Sequence, residues 1–366
     1  MGLPDIVIEF SKKVVDVLQS GALGIVGIVI KDDNNHGAMI LRGSDELPTG
    51  DKAFSKANTA YIERAFKGAP SKVIIYTLPK DAESYSEAFK YFSTVKVNYL
   101  CGAPDMTTAE AEAFATWVIG VRKNTVRRPV AVLPNIKSDN KAVISFKVVN
   151  ATEDDKICVD DAEYTEAEYC SRIAGLIAGL DLSVSCTFKP LSEVTMIPVA
   201  DDEEVDTAIE EGYLTLYNDG ERIVIARGVN SLTTTTEEDT EDLKKIKILA
   251  IQDLIETDIY STINRSYIGN YSNSYDNKCL LLTAIKGYLK GLEATEGGKG
   301  YLRADSSTID IDVAKQKQYL ESIGVDTSSM DEQAIKEANT GSKVFLKGTI
   351  SILDAIEDVD IFINKE

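Results

Sequence analysis

The chain has 366 residues, 44% of them hydrophobic and 27% charged, the balance of a soluble globular protein with room for two or three domains. With 39 basic residues against 59 acidic ones, the formal net charge is −20. That argues against a duplex nucleic-acid partner, which needs a basic footprint, and against an anionic membrane surface; it suits a protein that stays soluble at high local concentration until it associates.

The opening "MGLPDIVIEFSKKVVD" lacks the basic start of a signal peptide, and Ile6 stands where a myristoylation pattern needs Ser or Thr. No apolar run approaches the ~18 residues of a membrane span. Within this stretch "PDIVIEF" reads as extended, with Ile6, Ile8 and Phe10 on one face. A strand is expected from about 23 to 31, a helix over 53–67 and a buried strand, "KVIIYTL", over 72–78. Residues 97–104 read as a strand stopped by Gly-Ala-Pro. Thr107 and Glu110 have the spacing of a capping box, in which each side chain satisfies an orphan N–H at a helix start. The helix they open places Ala113, Phe114, Trp117, Val118 and Val121 on one stripe. Strands are expected at 128–135, 141–150 and 195–200, with a second capping box at Thr165 and Glu168 opening "AEYCSRIAGLIAGL". This alternation implies an α/β core, or α+β with a mixed sheet, in which at least part of the sheet is parallel. The small residues Ala174, Gly175, Ala178 and Gly179 fit close packing against another backbone. "YLTLYNDGERIVIARGVNSL" is a hairpin signal, with Asp219-Gly220 suited to a type I′ turn. Two long helices, about 241–263 and 276–293, precede "STIDID", helices near 312–322 and 331–338, and closing strands that run almost to the last residue.

Motifs with chemistry fail one by one. His36 is the single histidine, in the polar loop "KDDNNHGA", and one histidine without nearby cysteines makes no zinc set. The same loop lacks the bidentate acid of a calcium loop, since Gly43 stands at position twelve. Gly21, Gly24 and Gly27 are spaced by three and precede or lie within a strand, unlike a dinucleotide fingerprint. "EGGKGY" has Glu293 and Gly300 where a P-loop needs Gly and Ser or Thr. The five cysteines (Cys101, Cys158, Cys170, Cys186, Cys279) are scattered and form no CxxC pair, as expected of free thiols made in a reducing cytoplasm. No catalytic residue, metal site or cofactor site is expected. Lys286 and Lys290, one helical turn apart in an acidic chain, are a candidate contact for an acidic partner. The termini are the informative feature. At the C-terminal end Val359, Ile361 and Ile363 share a strand face. Unpaired strand edges recruit other chains, and strand addition that does not close on itself yields a filament or tube.

The stretches "GLPDIVIEF", "YCSRIAGLIAGLDLSVSCTFKPL" (169–191), "AIEEGYLTLYNDGERIVIARGVNSLTT" (208–234) and "DIYSTINRSYIGNYSNSYDNKCLLLTAIKGYLKGLEATEGG" (258–298) resemble, in that order, the sheath proteins of contractile phage tails and R-type bacteriocins. The family's Gly-x-Asn element is matched by Gly228, Val229 and Asn230. The chain looks like a minimal sheath, with an opening unlike the family's usual "TPGVY". The resemblance implies a subunit that polymerises as stacked rings around an inner tail tube protein, exchanges terminal strands with its neighbours, meets baseplate and tail-terminator proteins, and contracts on energy stored at assembly. It implies a helical C-terminal domain against the tube, with Lys286 and Lys290 in contact with it. It also implies synthesis in a bacterial cytoplasm and release in a tail particle, without nucleic acid or membrane insertion as partners. The expected division is an N-terminal arm (1–20), a small outer α/β domain (21–92), a central α/β core (93–235), a tube-facing C-terminal part (236–345) and a C-terminal arm (346–366). The competing readings are an α/β enzyme with an acidic site, which requires a deep pocket of convergent polar groups, and a type VI-like sheath subunit.

Overall fold

β-branched runs bounded by Gly, Pro and Asn set the strands of this chain. The computed structural model describes residues 24–152, 155–295 and 300–363. The chain divides into a large unit, which includes residues 24–257 and 354–363, and a small unit, which includes 258–353.

The large unit is built on one seven-stranded sheet. Its strands are β1 (Ile25–Lys31), β2 (Gly37–Leu41), β3 (Lys72–Leu78), β4 (Tyr99–Cys101), β5 (Val130–Pro134), β6 (Val143–Phe146) and β9 (Tyr213–Leu214). The order is β2-β3-β1-β4-β5-β6-β9. Only β2 is antiparallel to its neighbour; the other pairs are parallel, with Ile28 opposite both Ile75 and Cys101. Parallel strands need covered faces, which explains why β1 and β3 are almost continuously apolar. Helices α2 (Ser86–Phe92) and α3 (Thr108–Asn124) cover one face, where Phe92, Phe114 and Val118 pack with Val29, Ile74, Leu100 and Leu133. The alternate residues Val26, Ile28 and Ile30 are equally buried, and α1 (Lys56–Phe66) and α4 (Glu166–Gly179) lie against β1. The expected boundary near residue 92 therefore falls inside one sheet: β1 and β3 pair directly with each other, and β1 with β4.

Helices α1 and α4 approach unusually closely. A Cβ on Gly175 would overlap the backbone carbonyl of Ala65, one on Gly68 the carbonyl of Gly175, and one on Gly179 the carbonyl of Gly68. The small-residue run in "SRIAGLIAGL" is thus a packing device. Both expected capping boxes form, at Thr107/Glu110 and at Thr165/Glu168, and a third at Asp201/Glu204 starts α5 (Asp202–Glu210). His36 is a loop residue whose Nε2 lies 3.0 Å from the carbonyl of Asp32. The buried Asp32 carboxylate accepts from Ser55 N and Asn58 Nδ2, tying that loop to the start of α1.

Two small antiparallel pairs complete the unit, β7 (Ile157–Val159) with β8 (Ala162–Tyr164), and β10 (Leu216–Asn218) with β11 (Ile223–Ile225). The hairpin turn differs from expectation. A type I′ turn needs positive φ at both central residues, but only Gly220 has it, at 93°. The Asp219 carboxylate instead accepts the N–H groups of Glu221 and Arg222 and builds a longer loop. The expected strand over 195–200 is also absent. Pro198 has no N–H to donate, and pairing is confined to the Cys158–Met196 bridge.

Helix α6 (Ile246–Thr262) contains the boundary between the units, after Thr257. A turn of π-helix follows at Ile263–Tyr267. The small unit holds α7 (Tyr275–Leu292), β12 (Thr308–Ile311), α8 (Val313–Ser322), α9 (Glu332–Glu337) and β13 (Leu346–Thr349), with β12 and β13 antiparallel. Two buried side-chain donors in it find backbone partners. The buried Lys278 ammonium faces the carbonyls of Lys336 and Ala338, and Gln316 donates to those of Ile335 and Lys336, so the C-terminal end of α9 has the donors it needs.

Candidate functional site

Beyond β13 the sequence keeps its strand-like alternation, but the chain pairs only through a bridge between Ile352 and Leu302. Residues 354–363 form no strand among the described residues. Val359 is 68% exposed, Ile361 71%, Phe362 88% and Ile363 82%. Four large apolar side chains within five residues, with unpaired backbone, are what a β-strand leaves when its partner is missing. The expectation for Val359, Ile361 and Ile363 thus meets a segment that lies outside any strand. Ile6, Ile8 and Phe10 lie outside the described residues.

Just before this exposed stretch the chain is held down by side chains. The Glu357 side chain is only 5% exposed. One of its carboxylate oxygens accepts from Ser185 Oγ at 2.8 Å and Thr187 Oγ1 at 2.6 Å. The other lies 3.3 Å from Lys245 Nζ and 4.0 Å from Arg227 Nε. Lys245 also pairs with Asp354, and Arg227 with Asp358. Burial tends to lower the Lys245 pKa, yet the carboxylates of Asp354 and Glu357 raise it overall, so this ammonium stays charged.

Three separate segments supply the donors. Gly228 N donates to Thr187 Oγ1 at 2.9 Å, Thr187 N to Ser185 Oγ at 3.1 Å, and Val229 bridges antiparallel to Lys245. Asn230, fully buried, donates from Nδ2 to the Leu243 carbonyl at 2.6 Å and accepts the Leu232 N–H at 3.1 Å. The Gly-Val-Asn element is therefore the frame on which Arg227 and Lys245 are presented. Nothing in local sequence pattern marks Glu357, Ser185, Thr187, Arg227 and Lys245 as neighbours. The available signal was the "GVN" element together with an acidic run, "DAIED", before a strand-like end.

The two lysines separate in role. Both line an open cleft of the small unit between α7 and the start of β12. Lys290 is spoken for by Glu293 at 2.9 Å and Asp305 at 2.5 Å. Glu293 also accepts from Ser307 and from Asp305 N; its carboxyl is held down at about 2, chiefly by Ser307 and Lys290. Lys286 makes no ion pair among the described residues. Of the expected pair it alone has no direct carboxylate partner in that cleft, and it reaches the Asp310 carboxylate only as a longer-range charge. Among the described residues no group of three or more His, Cys, Asp or Glu side chains could hold a metal ion, and no helix is long and apolar enough to cross a membrane.

Comparison with known proteins decides what kind of fold carries these features. Residues 80–231 match the phage tail sheath protein central domain and residues 238–364 the phage tail sheath C-terminal domain. A tail sheath protein of Clostridium phage phiCD119 is 37% identical over 368 residues, spanning 98% of either chain. The chain belongs to the phage tail sheath family. Its fold is that of the crystallised sheath tail protein of Desulfitobacterium hafniense, with a TM-score of 0.68 at 15% identity over 84% of this chain and 93% of that one. It is also that of a chain in the anti-feeding prophage baseplate, at TM-score 0.64 and 13% identity, over 100% and 99% of the two chains. The resemblance stated from the residues holds, and so does the mixed α/β fold class. Sheath proteins are structural subunits of a contractile system, and the family does not favour the reading as an enzyme with an acidic site.

Proposed function

We propose that this sheath-family subunit polymerises as stacked rings around an inner tail tube and contracts to drive that tube through a cell envelope. The mesh stays connected through strands that each subunit adds to its neighbours. The exposed, unpaired run from Val359 to Ile363 carries this reading. A β-segment with free backbone groups and apolar side chains in water gains on the order of 1 kcal/mol per interchain hydrogen bond, plus the burial of its side chains. Repeated through a lattice, such contacts hold subunits together while they move. The energy of contraction is stored at assembly, as in other strained switches, and no nucleotide is consumed. The N-terminal arm with Ile6, Ile8 and Phe10 would add a second strand of the same kind. The inner tube protein, the baseplate and the tail terminator are the other partners; synthesis takes place in a bacterial cytoplasm and the product leaves in a tail or tail-like particle.

The test is electron microscopy of the full chain at high concentration, beside a variant lacking residues 359–366. Tubes from the full chain and monomers from the truncation are expected. Tubes from both would remove the arm from the mechanism. The tube contact assigned to Lys286 and Lys290 is tested by charge reversal. Lys286→Glu should weaken co-assembly with the tube protein more than Lys290→Glu does, because Lys290 already spends its charge on Glu293 and Asp305.

A further inference from the structure

The contacts around Glu357 have the features of a ligand site in which the ligand is part of the same chain. Glu357 is sunk to 5% side-chain exposure while Ile356 before it is 89% exposed and the Asp358 side chain 80%. The segment dips into the surface at one carboxylate and leaves again. The two hydroxyls are oriented without it, by each other and by Gly228 N, and the backbone that carries Lys245 is set by the Val229 bridge. Gly228 leaves the floor open, since a Cβ there would stand 2.7 Å from Cys186 Sγ and crowd both hydroxyls. Among the described residues, 354–363 receive no hydrogen bond from another backbone group. Side chains alone hold this segment, and all the contacts named here are between acids on the segment and hydroxyls or cations on the frame.

We propose that Ser185, Thr187, Arg227 and Lys245 form a binding site for an acidic extended peptide of the pattern Asp-x-x-Glu-Asp. It is filled here by Asp354, Glu357 and Asp358 of the same chain and is exchangeable with the same segment of a second copy. Charge-assisted hydrogen bonds give the site its preference for a carboxylate at the centre. The flanking cations read the acids three residues before and one residue after it. In an isolated chain the tethered segment wins because its effective concentration is high. In a dense array a neighbour's segment stands at a similar concentration, and exchange replaces each contact with an identical one, which is the low-cost route of a swapped element.

The inference extends the proposed function but is tested on the monomer, so failure to form tubes and failure to bind peptide are separate results. The full-length chain carrying Asp354→Ala, Glu357→Ala and Asp358→Ala has an emptied site. A fluorescein-labelled peptide, ILDAIEDVDIFI, is titrated into it and into the unaltered chain, and anisotropy is read. The emptied chain should bind at least about tenfold tighter than the unaltered one, whose own segment competes. Adding Arg227→Ala and Lys245→Ala should weaken binding at least about tenfold, and raising salt from about 0.05 to 0.5 M should weaken it in parallel. Thr187→Val is the milder cradle variant, and melting curves followed at Trp117 show whether each variant keeps its fold. Equal binding by the emptied and unaltered chains, binding insensitive to salt, or equal binding of a scrambled peptide of the same composition would each overturn the proposal.

Discussion

Replacing Gly175 by alanine should destabilise the large unit, although alanine is the better helix former. The added Cβ points at the carbonyl of Ala65, which is backbone and cannot rotate away. Helices α1 and α4 would have to part by roughly 1 Å or more to restore ordinary contact near 3.5 Å. Overpacking of this kind costs about 1–3 kcal/mol, and a rigid obstacle places it at the upper end. Against this, alanine gains about 1 kcal/mol over glycine inside a helix. The net is a loss of about 2 kcal/mol, a fall in melting temperature of about 4–8 °C for a unit of this size. Gly120→Ala makes the same chemical change in α3 with nothing within 4 Å of the new Cβ; it should raise the midpoint by about 2–4 °C. The single tryptophan, Trp117, stacks on Phe89 at 4.4 Å between ring centres, so its fluorescence reports this unit. Shifts of the same sign in the two variants would refute the argument, because propensity alone would then govern both.

Asn230→Ala strands the Leu243 carbonyl and the Leu232 N–H in a fully buried place; a loss of about 2–3 kcal/mol is expected by urea unfolding. Asp253→Ala removes the partner of the largely buried Arg122 guanidinium, now paired at 2.7 and 2.8 Å, leaves it only the weaker attraction of Glu256, and should cost about 3 kcal/mol in the same assay. Glu293 has a folded pKa of about 2, below its ordinary 4.5. Its contribution is therefore complete above about pH 4.5 and is lost as the pH falls towards 2. Protection of the Asp305 and Ser307 amides, whose N–H groups it accepts, relative to their intrinsic exchange rates should fall over that window and should be lower at neutral pH in Glu293→Ala.

Local rules made much of the core readable. Apolar runs bounded by Pro or Gly gave β3 to the residue, and the capping boxes at Thr107 and Thr165 located two helix starts, because both signals act within a few residues. Readings that needed distant partners fared worse. "TMIPVA" has strand composition, but composition does not supply a neighbour, and Pro198 removes a donor. The unity of residues 24–92 with the rest of the sheet depends on pairing between β1 and β4, some seventy positions apart in sequence. The exposed end was legible as an unsatisfied strand. The Glu357 contacts were not, since Ser185, Arg227, Lys245 and Glu357 come from four separate stretches of sequence and each looks like an ordinary surface residue. Lys286 and Lys290 looked equivalent on a helical wheel, and the carboxylates of Glu293 and Asp305, which pair with Lys290, distinguish them.

The return of the chain to the large unit at Asp354 also has a mechanical consequence. A pull on the last residues meets the Glu357 contacts before it reaches the backbone of residues 258–353. Tension arriving through the terminal segment would thus be anchored at Arg227 and Lys245 on the large unit. Those ion pairs would act as a slip point whose yield force falls with salt, and the fold of the small unit would be spared the strain until they gave way.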